Sequence, residues 1–119
     1  MDSEQREFLE LCNFEKGGGL IPVVTQDAKT KDVLMVAYTN LEALTKTLET
    51  GQMFYQSRER GLWHKGDTSG NFQNVVSLNL DCDNDTILAL VSPVGPACHT
   101  GSVNCFIDSP SIKISKGDK

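Results

Sequence analysis

Residues 73–91 read QNVVSLNLDCDNDTILALV. Two runs rich in Val, Leu and Ile, Gln73 to Leu80 and Thr86 to Val91, flank the polar pentapeptide DCDND. Branched apolar runs separated by good turn formers predict a β-hairpin with an acidic tip. The pattern recurs upstream, where Leu20 to Gln26 and Val33 to Tyr38 flank the polar stretch DAKTKD and read as a second hairpin with a long loop.

Two helices complete the expected framework. Residues 2–15 place Phe8, Leu11 and Cys12 at helical spacing, with Asp2 and Gln5 arranged as a capping pair. Gly17, Gly18 and Gly19 follow as an exit. Asn40 is the predicted cap of a second helix with Leu41, Leu44 and Leu48 as its apolar stripe, and Gly51 sits where a left-handed terminating residue belongs. Met53 to Ser57 reads as a strand leading into SRERGLWHKGDTSGN, whose polarity and glycines predict a functional loop. GPACHTGSVNCF, from Gly95 to Phe106, carries little periodicity. The expected whole is an α+β domain over residues 1–108 and a frayed polar tail over 109–119.

With 119 residues, 39% hydrophobic and 23% charged, the chain is an ordinary single globular domain. A monomer of this size encloses little volume for a site, which a subunit interface would relieve. Eleven basic against sixteen acidic residues, a net charge of −5, argues against nucleic acid as a partner while leaving room for a local phosphate site. No apolar run approaches the ~20 residues of a membrane span, and the N-terminal stretch lacks a basic and then apolar leader pattern. The expectation is a cytoplasmic protein without a membrane partner, whose four cysteines remain thiols.

Cys82, Cys98 and Cys105 are separated by fifteen and six residues, so none forms a CxxC knuckle. Three thiolates can hold Zn²⁺ and leave a fourth position for water; the alternative is three small interior side chains. Cys12, on an apolar helix face, is expected in the core. Asp81 and Asp85 would lie ~13 Å apart on a straight strand, so a shared Mg²⁺ demands a turn; the alternative is a solvated tip. The segment from Lys65 to Asn71 combines a cation, hydroxyls and glycines suited to an anion; the alternative is a plain polar turn. Arg58 and Arg60 add guanidinium groups, and Trp63 offers a stacking face or an interior ring. His99, beside Cys98, can move protons near neutral pH or close a metal site as its fourth ligand. His64 reads as a surface residue.

Taken in order, GLIPVV, VLMVAY, SRER, LWHKGDTSGN, DCDND, GPACHTG and NCF resemble the phosphoribosyl-AMP cyclohydrolase family. The resemblance runs from about Gly19 to Phe106 and implies a curved, mostly antiparallel sheet with two short helices in an intertwined homodimer. It implies hydrolytic opening of the adenine ring of N1-(5-phosphoribosyl)-AMP between N1 and C6, without loss of ammonia. Cys82, Cys98 and Cys105 would hold zinc at a site shared between subunits, and Asp81, Asp83 and Asp85 would bind Mg²⁺. His99 would then serve proton transfer. Arg58, Arg60, Trp63, Lys65, Thr68 and Ser69 would bind substrate. The chain departs from the family's usual pattern at Asp67, commonly Glu, at Asn71, often His, and in a short link between SR and LW. Two rival functions fit the residues alone: a non-catalytic zinc-stapled nucleotide-binding module, and a zinc aminohydrolase that releases ammonia from a nucleotide.

Overall fold

The computed structural model describes residues 1–107 and 109–115. Helix α1 (Ser3–Leu11) begins at the expected capping box: Asp2 accepts from the Gln5 amide at 2.9 Å, and the Gln5 side chain accepts from the Asp2 amide at 3.0 Å. It ends earlier than the spacing suggested. Asn13 directs its side-chain oxygen to the Lys16 amide at 3.2 Å and its own amide to the Asn84 carbonyl at 2.7 Å. Those bonds draw the backbone out of the helix and into a short 3-10 turn, Glu15–Gly17. Leu11, the last residue of α1, is exposed, and Leu9 and Phe14 join Phe8 and Cys12 against the core.

Strands β1 (Ile21–Asp27) and β2 (Val33–Thr39) form the first hairpin. Asp27 turns the chain by accepting from the Lys29 and Thr30 amides. Their pairing steps from Thr25↔Met35 to Gln26↔Val33, so Leu34 is an extra residue in a β-bulge. Helix α2 (Leu41–Thr50) is capped by Asn40, which accepts from the Ala43 amide at 2.8 Å, and it ends at Gly51 with φ +76°. Its buried face is Ala43, Leu44 and Thr47; Leu41, expected on the stripe, opens the first turn and is exposed.

Strand β3 (Phe54–Ser57) pairs antiparallel with β4 (Gly61–His64). β4 lies inside the stretch expected to be loop. The Ser57 hydroxyl accepts from the Arg60 amide at 2.8 Å, and Gly61 adopts φ +69°, closing a turn that returns the polar segment alongside β3. Strands β5 (Gln73–Leu80) and β6 (Ile87–Pro93) form the hairpin with the acidic tip. The main sheet runs β2-β1-β6-β5: both hairpins are antiparallel, and β1 meets β6 in parallel. The architecture is the expected α+β, with a mixed sheet that is mostly antiparallel.

Ile21, Val23, Ile87, Ala89 and Val91 line the covered sheet face with Leu44, Met53 and Tyr55 in the same core. A buried polar chain ties the two sheets together. The Tyr55 hydroxyl lies 2.7 Å from both Thr25 Oγ1 and Gln73 Oε1, and Gln73 Nε2 reaches Met35 Sδ at 3.4 Å. On the opposite sheet face Val36, Tyr38 and Leu88 are exposed. No helix among the described residues is long and apolar enough to cross a membrane.

Candidate active site

A cavity of about 660 Å³ opens between the end of the β3–β4 hairpin and the irregular segment after β6. One wall follows directly from β4. The Trp63 ring packs on buried Tyr55, with centroids 5.1 Å apart, and the Arg60 guanidinium lies 4.0 Å over its centroid. Trp63 Nε1 is buried and has no hydrogen-bond partner among the described residues.

His64 is not the surface residue expected from its polar neighbours. Its ring stacks on Phe54 with centroids 4.3 Å apart and planes 6° from parallel, and Phe72 lies on it at 5.2 Å. Nε2 pairs with Gln52 Oε1 at 2.8 Å. The sequence offered no local cue, because Gln52 and Phe72 arrive from other elements.

Beyond His64 the backbone folds into tight turns, with Asp67 N–H on the His64 carbonyl and Gly70 N–H on the Gly66 carbonyl at 2.7 Å. Gly66 has φ +95°, and a Cβ there would meet the Phe72 nitrogen at 2.5 Å, so only glycine permits this approach. The turns bring Lys65, Thr68 and Ser69 to the cavity. Lys65 is 8% exposed; burial pulls its amine below the ordinary lysine range, and nearby Cys105 opposes that pull.

The facing wall carries Cys98, His99 and Cys105. Ala97 and Cys98 amides bond to the Val103 and Ser102 carbonyls, and the Gly101 amide to the Cys98 carbonyl, which closes a small loop around His99. The Cys105 amide donates to the carbonyl of bulged Leu34 at 2.8 Å, anchoring this segment to β2. Cys98 Sγ sits 3.1 Å from Thr100 Oγ1. Hydrogen bonds from the Thr100 side chain and backbone hold the Cys98 thiol below its usual range, with a further contribution from Cys105. Burial, then the proximity of Cys98, pushes Cys105 up. Cys98 is therefore the readier thiolate of an interacting pair.

Cys82 stands apart. It is exposed at the β5–β6 tip, and its thiol donates to Asp83 Oδ1 at 3.2 Å, which raises its pKa. It does not join Cys98 and Cys105 in any cluster of three potential metal ligands among the described residues. Arg58 is also separate from Arg60, since it lines a second cavity with Pro22, Tyr38 and Gln56. The turn between β3 and β4 sends the two guanidinium groups to different places.

The aspartates do converge. Asn84 adopts φ +62°, Asp81 Oδ1 accepts from the Asp85 and Thr86 amides, and one oxygen of each of Asp81, Asp83 and Asp85 lies within 4.8 Å of the others. The turn required for a shared cation is present. A residue that sequence reasoning missed sits against them: Lys16 Nζ is 3.2 Å from Asp83 Oδ2 and 2.9 Å from Asp85 Oδ2. These bonds, Asp85 first, push the lysine up to about 12. The Cys82 hydrogen bond and then Lys16 lower Asp83, and Lys16 lowers Asp85.

A family model described as phosphoribosyl-AMP cyclohydrolase matches residues 35–107, the stretch that holds both cavity walls and the acidic tip. The chain is 59% identical over 102 residues to the phosphoribosyl-AMP cyclohydrolase of Lactiplantibacillus plantarum, covering 85% of this chain and 94% of that protein. It is 55% identical over 97 residues to the protein of the same name from Streptococcus mutans, covering 81% and 89%. Against the histidine biosynthesis bifunctional protein HisIE of Escherichia coli it is 51% identical over 110 residues, 92% of this chain and 53% of that longer protein. A match that spans both walls, with identity above one half across most of the chain, places it in the phosphoribosyl-AMP cyclohydrolase family.

Proposed function

We propose that the chain opens the adenine ring of N1-(5-phosphoribosyl)-AMP by hydrolysis of the N1–C6 bond, a step of histidine biosynthesis, as a cytoplasmic homodimer that uses Zn²⁺ and Mg²⁺. The observation that carries this reading is the meeting of Cys98, Cys105 and His99 with the Lys65 to Ser69 turns on one cavity. The donor set suits zinc: two interacting thiols, one already biased towards thiolate, match a borderline-soft cation. Cys82, exposed and remote from that pair, is the third ligand, offered to a second copy of the chain. The uncovered sheet face with Val36, Tyr38 and Leu88 favours such an assembly.

When bound, zinc supplies a water whose pKa is lowered towards ~7. The chain's own groups then have separable tasks. Lys65, Thr68, Ser69 and the amides of the glycine turns bind a phosphate, and the Arg60–Trp63 pair presents a planar surface to the base. His99, exposed on the cavity wall, delivers a proton to N1 as the N1–C6 bond breaks. Oxygen from one water ends on C6, and no ammonia leaves. The Asp81, Asp83 and Asp85 carboxylates suit a hard divalent cation such as Mg²⁺, and the ammonium against two of them is a stand-in for it. Arg58, in the second cavity, is assigned to a more distant part of the substrate.

The test is incubation of the full chain with N1-(5-phosphoribosyl)-AMP, followed by ultraviolet absorbance with an ammonia assay in parallel. A chelator-sensitive absorbance change without ammonia is expected. Ammonia release would favour an aminohydrolase, and nucleotide binding without turnover would favour a non-catalytic module.

A further inference from the structure

Three carboxylates with oxygens within 4.8 Å of one another repel, and the folded chain meets that repulsion with a cation of its own. Lys16 is brought there by construction. Asn13 caps the Lys16 amide, the Asn13 amide bonds to the Asn84 carbonyl at 2.7 Å, and the Gly18 and Gly19 amides close back on Glu15 and Phe14. The turn that carries Lys16 is thus fastened by backbone to the same tip that carries the aspartates. The ammonium bonds to Asp83 and Asp85, and Asp81 is held by the Asp85 and Thr86 amides. Lys16 holds one oxygen of Asp83 and one of Asp85, so a divalent ion that engages those carboxylates must compete with its ammonium.

We infer that Lys16 is a tethered occupant of the aspartate site, so that divalent-cation binding is an exchange reaction in which the lysine ammonium is displaced from Asp83 and Asp85. Lys16 then sets the affinity of the site. This rests on the reading of the aspartates as a cation site. In the exchange no covalent bond changes: the ion takes the carboxylate oxygens, and the ammonium keeps its proton and passes to solvent.

The experiment uses Mn²⁺ as probe, counted by loss of the free-ion electron paramagnetic resonance signal, on the full chain with its other metal content unchanged. Lys16→Met should bind Mn²⁺ about tenfold more tightly than the parent, Lys16→Gln should do likewise, and Lys16→Arg should stay within about threefold of it. In the parent chain, the acylation rate of Lys16 followed by peptide mass spectrometry should rise severalfold on adding Mn²⁺. Unchanged or weaker binding in both neutral variants, or a Lys16 acylation rate indifferent to Mn²⁺, overturns the exchange while leaving the aspartate site standing. A parent chain that binds no Mn²⁺ at its tip, judged against Asp83→Asn, overturns the aspartate reading and the exchange together.

Discussion

The Arg60 guanidinium stacks 4.0 Å above the centroid of Trp63, the chain's single tryptophan. The pair lines the cavity, so a cation and an indole at the proposed base-binding surface report on each other. Arg60→Met should change the intrinsic fluorescence of the free protein and raise KM for substrate about tenfold, with kcat altered less. Unchanged KM would remove Arg60 from substrate binding.

Replacing His99 by Ala should leave metal content intact and lower turnover by ~10²-fold or more, because the side chain lines the cavity and is not needed to assemble the Cys98–Cys105 pair. Cys98→Ser should lose tightly held zinc and activity together. Metal analysis beside steady-state rates separates the two variants. Near-normal turnover in His99→Ala would exclude that imidazole from the proton transfers.

Gly66→Ala should destabilise the fold by about 2–4 kcal/mol, since the methyl would collide with Phe72 backbone and φ is +95°. Gly70→Ala is the control: its φ is +81° but nothing lies within 4 Å of the added carbon, so about 1 kcal/mol is expected. Denaturant midpoints for the two variants provide the comparison.

Burial pushes Cys12 from an ordinary 9.0 to about 11, and its thiol hydrogen bonds to the Phe8 carbonyl at 3.3 Å. A raised pKa means that the folded state holds the proton more tightly. The contribution is complete below pH 9 and is lost as pH rises towards 11, by on the order of 1–2 kcal/mol. Cys12→Ala should be less stable at pH 8 through lost packing, yet its stability should fall less between pH 8 and 10.5. Parallel pH dependences in the two proteins would refute this.

Local chemistry made the two hairpins, the Asp2 and Asn40 caps, the Gly51 terminus and the acidic turn legible. Each is specified by neighbours a few residues apart. What escaped was non-local. β4 hid in a polar stretch because its strand character comes from pairing with β3 and from the Tyr55 surface under Trp63. The parallel β1–β6 contact and the Lys16–Asp83 bond join residues more than sixty positions apart, beyond any periodicity. Leu9, and not Leu11, lies against the core, because the face of α1 that packs inward is fixed by its tertiary contacts and not by spacing alone. Within the site, the Cys98 and His99 neighbourhood and the Lys65 to Ser69 turns were readable as motifs, whereas the partition of Arg58 from Arg60 depends on the turn geometry between β3 and β4.

The supernumerary Leu34 in the edge strand β2 turns its carbonyl to the Cys105 amide, and that bond moors Cys105. The spacing of one sulfur from the other is therefore inherited from an irregularity some seventy positions earlier in the chain. Any redesign that trims the first hairpin to ideal regularity would keep its strands and cast one thiol adrift.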